Sequence, residues 1–261
     1  MPLRLNPTFR QRLAEADRPL FGGWVCSGSP IAAEIMAGAG LDWLLVDMEH
    51  APNGLESTLA QLHAISGYPV TPMVRVPAGE TVVVKQVLDL GAQNILVPMV
   101  STPEQARDVA AMAQYPLAGR RGVGSALARS ARWNRVEGYL RGAADHVSVF
   151  VQVETEDGIR NARDIAAVDG IDGVFVGPSD LAASMGLIGQ QTHPDVVAAA
   201  TGAMAEISAA GKPAGVNAFD PTAAQQYADA GARFVLVGAD VALLARGAEQ
   251  LAATYIGNEK E

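Results

Sequence analysis

The 261-residue chain contains a single cysteine, Cys26. One cysteine excludes an intrachain disulfide and every zinc site built from several cysteines. No histidine lies near Cys26 in the sequence, and a cysteine becomes a nucleophile only where its thiolate is stabilised. We therefore interpret Cys26 as a small and unreactive side chain.

Positive charge and long apolar runs are also scarce. The net charge is −9, whereas a nucleic-acid-binding protein needs a basic surface. No run of about 18 apolar residues is free of charged or turn residues, so no membrane span is predicted. Residues 1–7 lack the basic and then apolar segments of a signal peptide. These features predict a soluble cytoplasmic protein with no nucleic-acid or membrane partner.

Short apolar runs recur along the chain and alternate with alanine-rich, helix-like segments. Eight such runs are predicted as strands, near residues 20–25, 43–47, 71–76, 94–98, 147–153, 173–177, 214–217 and 233–237. Strands that alternate with helices form a parallel sheet, and eight units of this kind favour a closed (β/α)8 TIM barrel. We predict one such domain over residues 1–261. A doubly wound open sheet is the alternative, but Gly22 and Gly23 lie inside the first strand instead of in a phosphate-binding turn after it.

Two of the predicted strands end in a carboxylate, Glu154 after the fifth and Asp180 after the sixth. Residues two apart on a strand point to the same face, so Gln152 and Glu154 share one side. A buried carboxylate needs a partner, and hard oxygen ligands suit Mg²⁺ or Mn²⁺. The alternatives are that both acids pair with arginines, or that Asp180 only caps the following helix.

Polar and aromatic residues follow other predicted strands as well, and catalytic groups of such barrels lie at these carboxyl ends. They include Trp24, Asp47, Glu49, His50, Arg75 and Asn217. Arg75 interrupts an apolar strand and must pair with an anion, either a carboxylate or a ligand. His50 is the only histidine at a strand end, which leaves a catalytic or a structural role open.

Lysine is rare, and its three positions restrict the chemistry. Lys85 falls in a predicted helix, Lys212 precedes a strand at the opposite end of the barrel, and Lys260 is near the end of the chain. None is placed to form a Schiff base at the carboxyl ends of the strands. If the barrel performs carbanion chemistry on a carbonyl compound, a metal must therefore act as the electron sink.

The connection between the fourth and fifth strands is long and basic. Residues 119–135 contain five arginines and no acid. A solvated or inter-subunit surface is one interpretation, and a wall that attracts an anionic substrate is the other.

Five segments, taken in order, resemble the motifs of the HpcH/HpaI family of metal-dependent, class II pyruvate aldolases, such as 4-hydroxy-2-oxoheptanedioate aldolase. The resemblance covers about residues 10–255. The segments are Asp47-Met48-Glu49-His50-Ala51-Pro52-Asn53, Val97-Pro98-Met99-Val100, residues 119–135, Gln152-Val153-Glu154-Thr155 and Gly177-Pro178-Ser179-Asp180-Leu181. The resemblance implies a (β/α)8 barrel whose last helix is exchanged between subunits, usually in a homohexamer built as a dimer of trimers.

The resemblance also implies roles for individual residues. Glu154 and Asp180 are similar to the family's ligands of Mg²⁺ or Mn²⁺, with Co²⁺ as another suitable ion and no organic cofactor. Gln152 and the segment Gly177, Pro178, Ser179 and Asp180 match substrate-binding positions, with backbone amides of that segment holding the pyruvate carboxylate. Trp24, at the end of the first strand, is predicted as a further substrate-binding residue. Arg75 is similar to the arginine that holds the ketone oxygen, and His50 and Asp89 match an acid–base dyad. The implied reaction is reversible cleavage of 4-hydroxy-2-keto acids to pyruvate and an aldehyde through a metal-stabilised enolate.

Two other functions are compatible with parts of the pattern. An acyl-CoA lyase would use the arginines of residues 120–135 for a CoA phosphate, although the segment around His50 favours a free keto acid. A non-catalytic barrel would not need polar residues concentrated at one end of its strands.

Overall fold

The computed structural model describes residues 3–257, and within them eight parallel strands close into a barrel in the order β1 to β8. This confirms the predicted TIM-barrel fold. The predicted and observed strand ends differ by at most two residues. The largest difference is at β8, which ends at residue 239 instead of the predicted 237. The strands β1 to β8 are Leu20–Val25, Trp43–Asp47, Thr71–Arg75, Asn94–Val97, Ser148–Val153, Gly173–Val176, Ala214–Asn217 and Phe234–Ala239.

Twelve α-helices lie within the described residues, and most of them connect consecutive strands on the outside of the barrel. Several begin at a serine, threonine or aspartate whose side chain accepts a backbone N–H of the first turn, which satisfies a donor that has no partner in the helix. The helices α1 to α12 are Phe9–Glu15, Pro30–Ala37, Leu55–Ile65, Thr81–Asp89, Pro103–Ala113, Tyr139–Gly142, Glu156–Arg160, Ala162–Ala166, Pro178–Ser184, Pro194–Ala209, Pro221–Asp229 and Asp240–Tyr255.

Alternation along each strand divides the buried residues into two groups. One set of strand residues, including Val46, Val74 and Val176, packs outward against the helices. The other set points inward, where Leu45, Met73 and Leu96 fill the middle of the barrel together with aromatic rings. This division follows from the two-residue period of a strand.

The amino-terminal end of the barrel is closed by α1. Phe9 is fully buried, and its ring centroid lies 5.0 Å from that of Trp43 and 5.5 Å from that of Phe234. Its backbone N–H donates to Asn94 Oδ1 inside the barrel at 2.6 Å. Gly22 makes room for these rings, because a Cβ there would lie 2.4 Å from the Trp43 indole.

The inward-facing residues become polar at the carboxyl end of the strands. Trp24, Asp47, Arg75 and Gln152 are all buried there, and Asp47 pairs in register with Arg75 across β2 and β3. An apolar middle layer therefore supports a polar end layer, which is where the sequence predicted a site.

Lysine is absent from this polar end among the described residues. Lys85 lies in α4, and Lys212 Nζ donates to Ile171 O at 2.6 Å, next to the amino-terminal end of β6. Lys260 lies outside the described residues. Within residues 3–257, no helix has both the length and the apolar character needed to cross a bilayer.

Candidate active site at the carboxyl end of the barrel

Glu154 follows the last residue of β5 and is only 4% exposed. Its carboxylate accepts hydrogen bonds from the Met99 backbone N–H at 2.8 Å and from Gln152 Nε2 at 2.5 Å. Burial, together with the smaller effects of the charges of Asp180 and Glu49, raises the pKa of Glu154 to about 7, against the lowering effect of these two hydrogen bonds. A cation beside Glu154 would restore its ionised form.

Asp180 lies in the first turn of α9, which begins directly after β6 and Gly177. A Cβ on Gly177 would lie 3.0 Å from Glu154 Oε2, so the glycine lets the start of α9 approach the carboxylate. The charge of Asp180 also raises the pKa of Glu154 and of Glu49, so the three acids lie close enough to interact electrostatically. Neither Glu154 nor Asp180 forms an ion pair with an arginine among the described residues, and Asp180 makes no side-chain cap.

These groups fit a divalent cation that takes few ligands from the protein. Two further buried oxygens, Gln152 Oε1 and Glu49 Oε2, have no hydrogen-bond partner within residues 3–257. Among the described residues, no set of three histidine, cysteine, aspartate or glutamate side chains converges as a metal cluster. Mg²⁺ is often held by one or two carboxylates, with water and substrate as the other ligands, so the donor set suits such an ion.

Arg75 is buried and pairs with carboxylates, one of the two kinds of partner that the sequence left open. Its Nε and Nη2 donate to Asp47 Oδ1 and Oδ2, both at 2.8 Å. Nη1 is 2.9 Å from Glu49 Oε2, although the angles there are not those of a hydrogen bond. The guanidinium carbon lies 4.3 Å from the centroid of a Trp24 ring. The arginine is therefore fixed in orientation before any ligand binds.

His50 lies at the carboxyl end of the barrel, and its side chain is mostly exposed. Its backbone N–H donates to Asp47 Oδ2 at 3.3 Å, and its Nε2 is 3.9 Å from Glu49 Oε2. The imidazole is thus anchored through its backbone and is free to meet a substrate.

Asp89 does not meet His50 within the chain. It is the last residue of α4, which starts after β3 and runs back to the amino-terminal end of the barrel. There its Oδ1 accepts from Nη2 of the fully buried Arg121 at 3.0 Å. The dyad that the resemblance implies is therefore not formed inside one chain.

The family model of the HpcH/HpaI aldolase/citrate lyase proteins matches residues 20–247. The chain belongs to this family. It is 52% identical over 263 residues to the hydroxypyruvate/pyruvate aldolase of Deinococcus radiodurans, which covers 100% of this chain and 95% of that relative. It is 51% identical over 247 residues to the 4-hydroxy-2-oxo-heptane-1,7-dioate aldolase of Salmonella arizonae, covering 95% of this chain and 94% of the relative.

A solved structure of the family gives the same result for the fold. The protein from Burkholderia cenocepacia superposes with a TM-score of 0.89 at 42% identity, over 94% of this chain and 97% of that one. The chain is therefore an aldolase, that is, a carbon–carbon lyase, as the sequence predicted.

The start of α9 offers fewer free amides in this aldolase than the resemblance implies. The Gly177 N–H donates to Val153 O at 3.0 Å, and Pro178 has no N–H. Only Ser179 and Asp180 can present amides to a carboxylate there. Both residues are exposed and lie in the first turn of α9, which begins at the carboxyl end of β6.

Asp47 and Asn217 are site residues to which the sequence gave no role. Asp47 accepts from Arg75 and from the backbone N–H groups of Glu49 and His50, so it ties the loop after β2 to β3. Asn217 Oδ1 accepts from Trp24 Nε1 at 2.8 Å, which orients the indole above Arg75. The signal for both was their strand phase, which points them inward with Leu45 and Gly215.

The basic loop of the aldolase does not reach the residues of this site. Arg120 pairs with Asp108 of α5, Arg121 pairs with Asp89 of α4, and Arg129 donates to Leu90 O. All three contacts lie on the outside or at the amino-terminal end of the barrel. Within one chain these three arginines therefore do not line the mouth, and the roles of the loop as a substrate wall or as a subunit contact both stay predictions.

Cys26 lies beside the site but is not activated. Burial raises the pKa of its thiol to about 12, with additional effects from Asp47 and Asp240. A thiol with this pKa carries almost no thiolate at neutral pH, in agreement with the predicted unreactive residue.

Proposed function

We propose that the aldolase reversibly cleaves 4-hydroxy-2-keto acids into pyruvate and an aldehyde with the help of a divalent cation. The observation that carries this proposal is the pair of acids Glu154 and Asp180. They follow the adjacent strands β5 and β6, interact electrostatically, and have no arginine partner among residues 3–257. Two converging acids without a counter-charge are unfavourable unless a cation joins them.

Glu154 and Asp180 would hold the ion, with Mg²⁺ or Mn²⁺ as the preferred species and Co²⁺ as a further suitable one. When bound, such an ion acts as a Lewis acid that stabilises negative charge on the substrate's ketone oxygen. Gln152 orients Glu154 through the 2.5 Å hydrogen bond and keeps its own Oε1 available. No organic cofactor is needed for this chemistry.

Arg75 supplies the second positive charge for the ketone oxygen. Its Nε and Nη2 are held by Asp47, so its position does not have to be organised during the reaction, which is the source of most electrostatic catalysis. The free amides of Ser179 and Asp180 receive the carboxylate of the pyruvate unit, and Trp24 borders the space beside Arg75.

His50 is assigned to removal of the C4 hydroxyl proton that starts the cleavage. We expect His50→Ala to bind Mn²⁺ with unchanged affinity and to lose about 100-fold to 10,000-fold in kcat, the usual effect of general acid–base catalysis. Asp89 could assist His50 only from a second copy of the chain, because the two residues lie at opposite ends of one barrel. Unchanged turnover in His50→Ala would contradict the assignment.

The proposal as a whole is tested by following pyruvate release from 4-hydroxy-2-keto acids with and without EDTA. We expect activity to vanish on complete chelation and to return with Mg²⁺ or Mn²⁺. Release that survives chelation, or a borohydride-trapped substrate adduct, would instead indicate lysine chemistry.

The raised pKa of Glu154 predicts a pH dependence of metal binding. Metal ligands must be deprotonated, so below about pH 7 the proton on Glu154 competes with the ion. We expect the Kd for Mn²⁺ to increase about tenfold for each pH unit below 7, as measured by calorimetry from pH 8 to pH 5.5.

The raised pKa of Glu154 also predicts how the stability of the metal-free protein depends on pH. The free energy of unfolding should fall as pH rises from about 4.5 to about 7, because the Glu154 carboxyl ionises at a lower pH in the unfolded chain than in the folded protein. The unfolding midpoint of Glu154→Gln should lack this contribution.

The two named relatives point to different substrates for the same type of reaction. The two relatives have different names, one for hydroxypyruvate and pyruvate and one for a seven-carbon diacid, and they are almost equally similar to this chain. A panel of pyruvate and hydroxypyruvate donors with glyoxylate, succinic semialdehyde and sugar-derived aldehydes, read as relative turnover, identifies the preferred pair.

We also propose a homohexamer arranged as a dimer of trimers, with α12 exchanged between subunits. Within α12 only Asp240 is buried. Leu243, Leu244, Leu251 and Tyr255 are exposed by 61–83%, which is an unusually apolar surface for a helix in water. Light scattering after size exclusion measures the mass, and a monomer would contradict this assembly. The single domain over residues 1–261 and the cytoplasmic location remain predictions.

A further inference from the structure

A cavity of about 230 Å³ lies at the amino-terminal end of the barrel, away from the candidate active site. It is bordered by the carboxyl ends of α3 and α4, by Arg12 of α1, and by Arg129 and Arg132 of the basic loop. None of the described residues that line it is an aspartate or a glutamate. Three arginines without an acid are unexpected in a protein of net charge −9.

Two of these arginines converge on one point. A Cβ built on Gly91 would lie 2.8 Å from Arg129 Nη1 and 2.9 Å from Arg132 Nη1. Neither side chain forms an ion pair within residues 3–257. Arg129 Nη1 donates to Leu90 O at 3.0 Å and Arg132 Nη1 to Arg129 O at 2.5 Å. Since a guanidinium has five N–H donors, most donors of both groups remain available to a ligand.

The two charges are also partly removed from water. Burial, followed by repulsion from Arg132, lowers the pKa of Arg129 to about 10. Burial and then both arginines lower the pKa of His63 on α3. The cavity therefore has a positive potential that no described side chain neutralises, and an anion there would relieve it.

The backbone that carries Arg132 is strained. Arg132, Trp133 and Asn134 have φ values of 49°, 55° and 60°, a left-handed conformation that is unfavourable for residues with a Cβ. Arg129 caps the carboxyl end of α4 by donating one N–H to Leu90 O. This capping contact does not explain the position of Arg132. Strain of this kind is commonly retained where it positions a functional group.

We propose that this cavity binds a dianionic phosphate group, either as inorganic phosphate or as part of a small phosphate monoester. Two guanidinium groups that converge on one point suit the closely spaced oxygens of a phosphate, which arginine binds in a bidentate manner. The volume admits a phosphate group with a few additional atoms. Within one chain the site is separate from the mouth, because the loop of Arg129 and Arg132 contacts the far end of α4.

Calorimetric titration of the metal-loaded aldolase with inorganic phosphate, and separately with glycerol phosphate, tests the proposal at constant ionic strength. The variants are Arg129→Gln/Arg132→Gln and the matched control Arg141→Gln, an exposed arginine of the same connection that does not line the cavity. We expect at least tenfold weaker binding in the double variant and unchanged binding in the control. Tighter binding of glycerol phosphate would support a monoester, and equal or tighter binding of phosphate would support the free ion.

Two results would overturn the proposal. One is the absence of binding heat with both probes at millimolar concentration, and the other is the same Kd in the wild type and the double variant. If the arginines only stabilise α4, the double variant loses thermal stability to the same extent with and without phosphate. If the double variant does not fold, Arg132→Gln is titrated in its place, since its guanidinium bonds only within its own loop.

Discussion

Glu154→Gln is expected to abolish metal binding and aldolase activity together. Glutamine keeps the size of the side chain and can still accept from the Met99 N–H, but it removes the negative charge that faces Asp180. Even second-layer changes around metal ligands cost about 10-fold to 100-fold in affinity, so loss of a ligand should exceed about 100-fold. Titration with Mn²⁺ measures the affinity, and pyruvate release measures the activity.

Glu156→Gln is the matched control for this change. Glu156 lies two residues further along the chain, is exposed in the first turn of α7 and makes no side-chain ion pair among the described residues. It should keep the wild-type affinity and turnover. Tight Mn²⁺ binding by Glu154→Gln would show that the ion is held elsewhere, and would remove the basis of the proposed mechanism.

Arg75→Met should lower both the free energy of unfolding and kcat, because the same guanidinium neutralises the buried Asp47 and stabilises charge on the substrate. The change leaves the buried Asp47 without its bidentate partner, and breaking a buried pair typically costs about 3–5 kcal/mol. It also removes positive charge from the ketone oxygen, for which loss of one donor typically costs about 100-fold to 1,000-fold in kcat. Urea unfolding and steady-state kinetics separate the two effects.

Two variants control this prediction. Arg75→Lys keeps the charge but not the two-pronged contact, and it should recover part of the stability and little of the turnover. Arg18→Met breaks the equally short pair with Asp42 at an exposed position, and it should change neither property appreciably. Wild-type turnover in Arg75→Met would exclude the arginine from the reaction.

The strands and their polar ends could be predicted because both follow from the local sequence. The buried strands are mostly continuous apolar runs, and the polar residues at which these runs end lie at the barrel mouth. Glu154, Asp180, Arg75 and His50 were found in this way, and the structure brings them to one end of the barrel. The period of a strand and the direction of parallel strands are sufficient for that step.

Partners that depend on the three-dimensional path of the chain could not be predicted in the same way. Asp89 was grouped with His50 through the resemblance alone, whereas the direction of α4 places it beside Arg121. The Gly177 N–H donates to Val153 O and is not available to a substrate. Predicting this contact requires knowledge of how β5 and β6 pair. Arg129 and Arg132 gather at Gly91 across about 40 residues of sequence, and no local pattern indicates such a contact.

The aromatic rings around Phe9 determine the route by which small molecules enter and leave the active site. Rings from α1 and from β2, β5 and β8 occupy the axis of the barrel, so the part of the chain that the structure describes leaves no water-filled passage along that axis. A reactant reaches Arg75 and Glu154 from one side only. Both fragments of a cleaved acid must therefore leave through the same opening by which the intact molecule arrived.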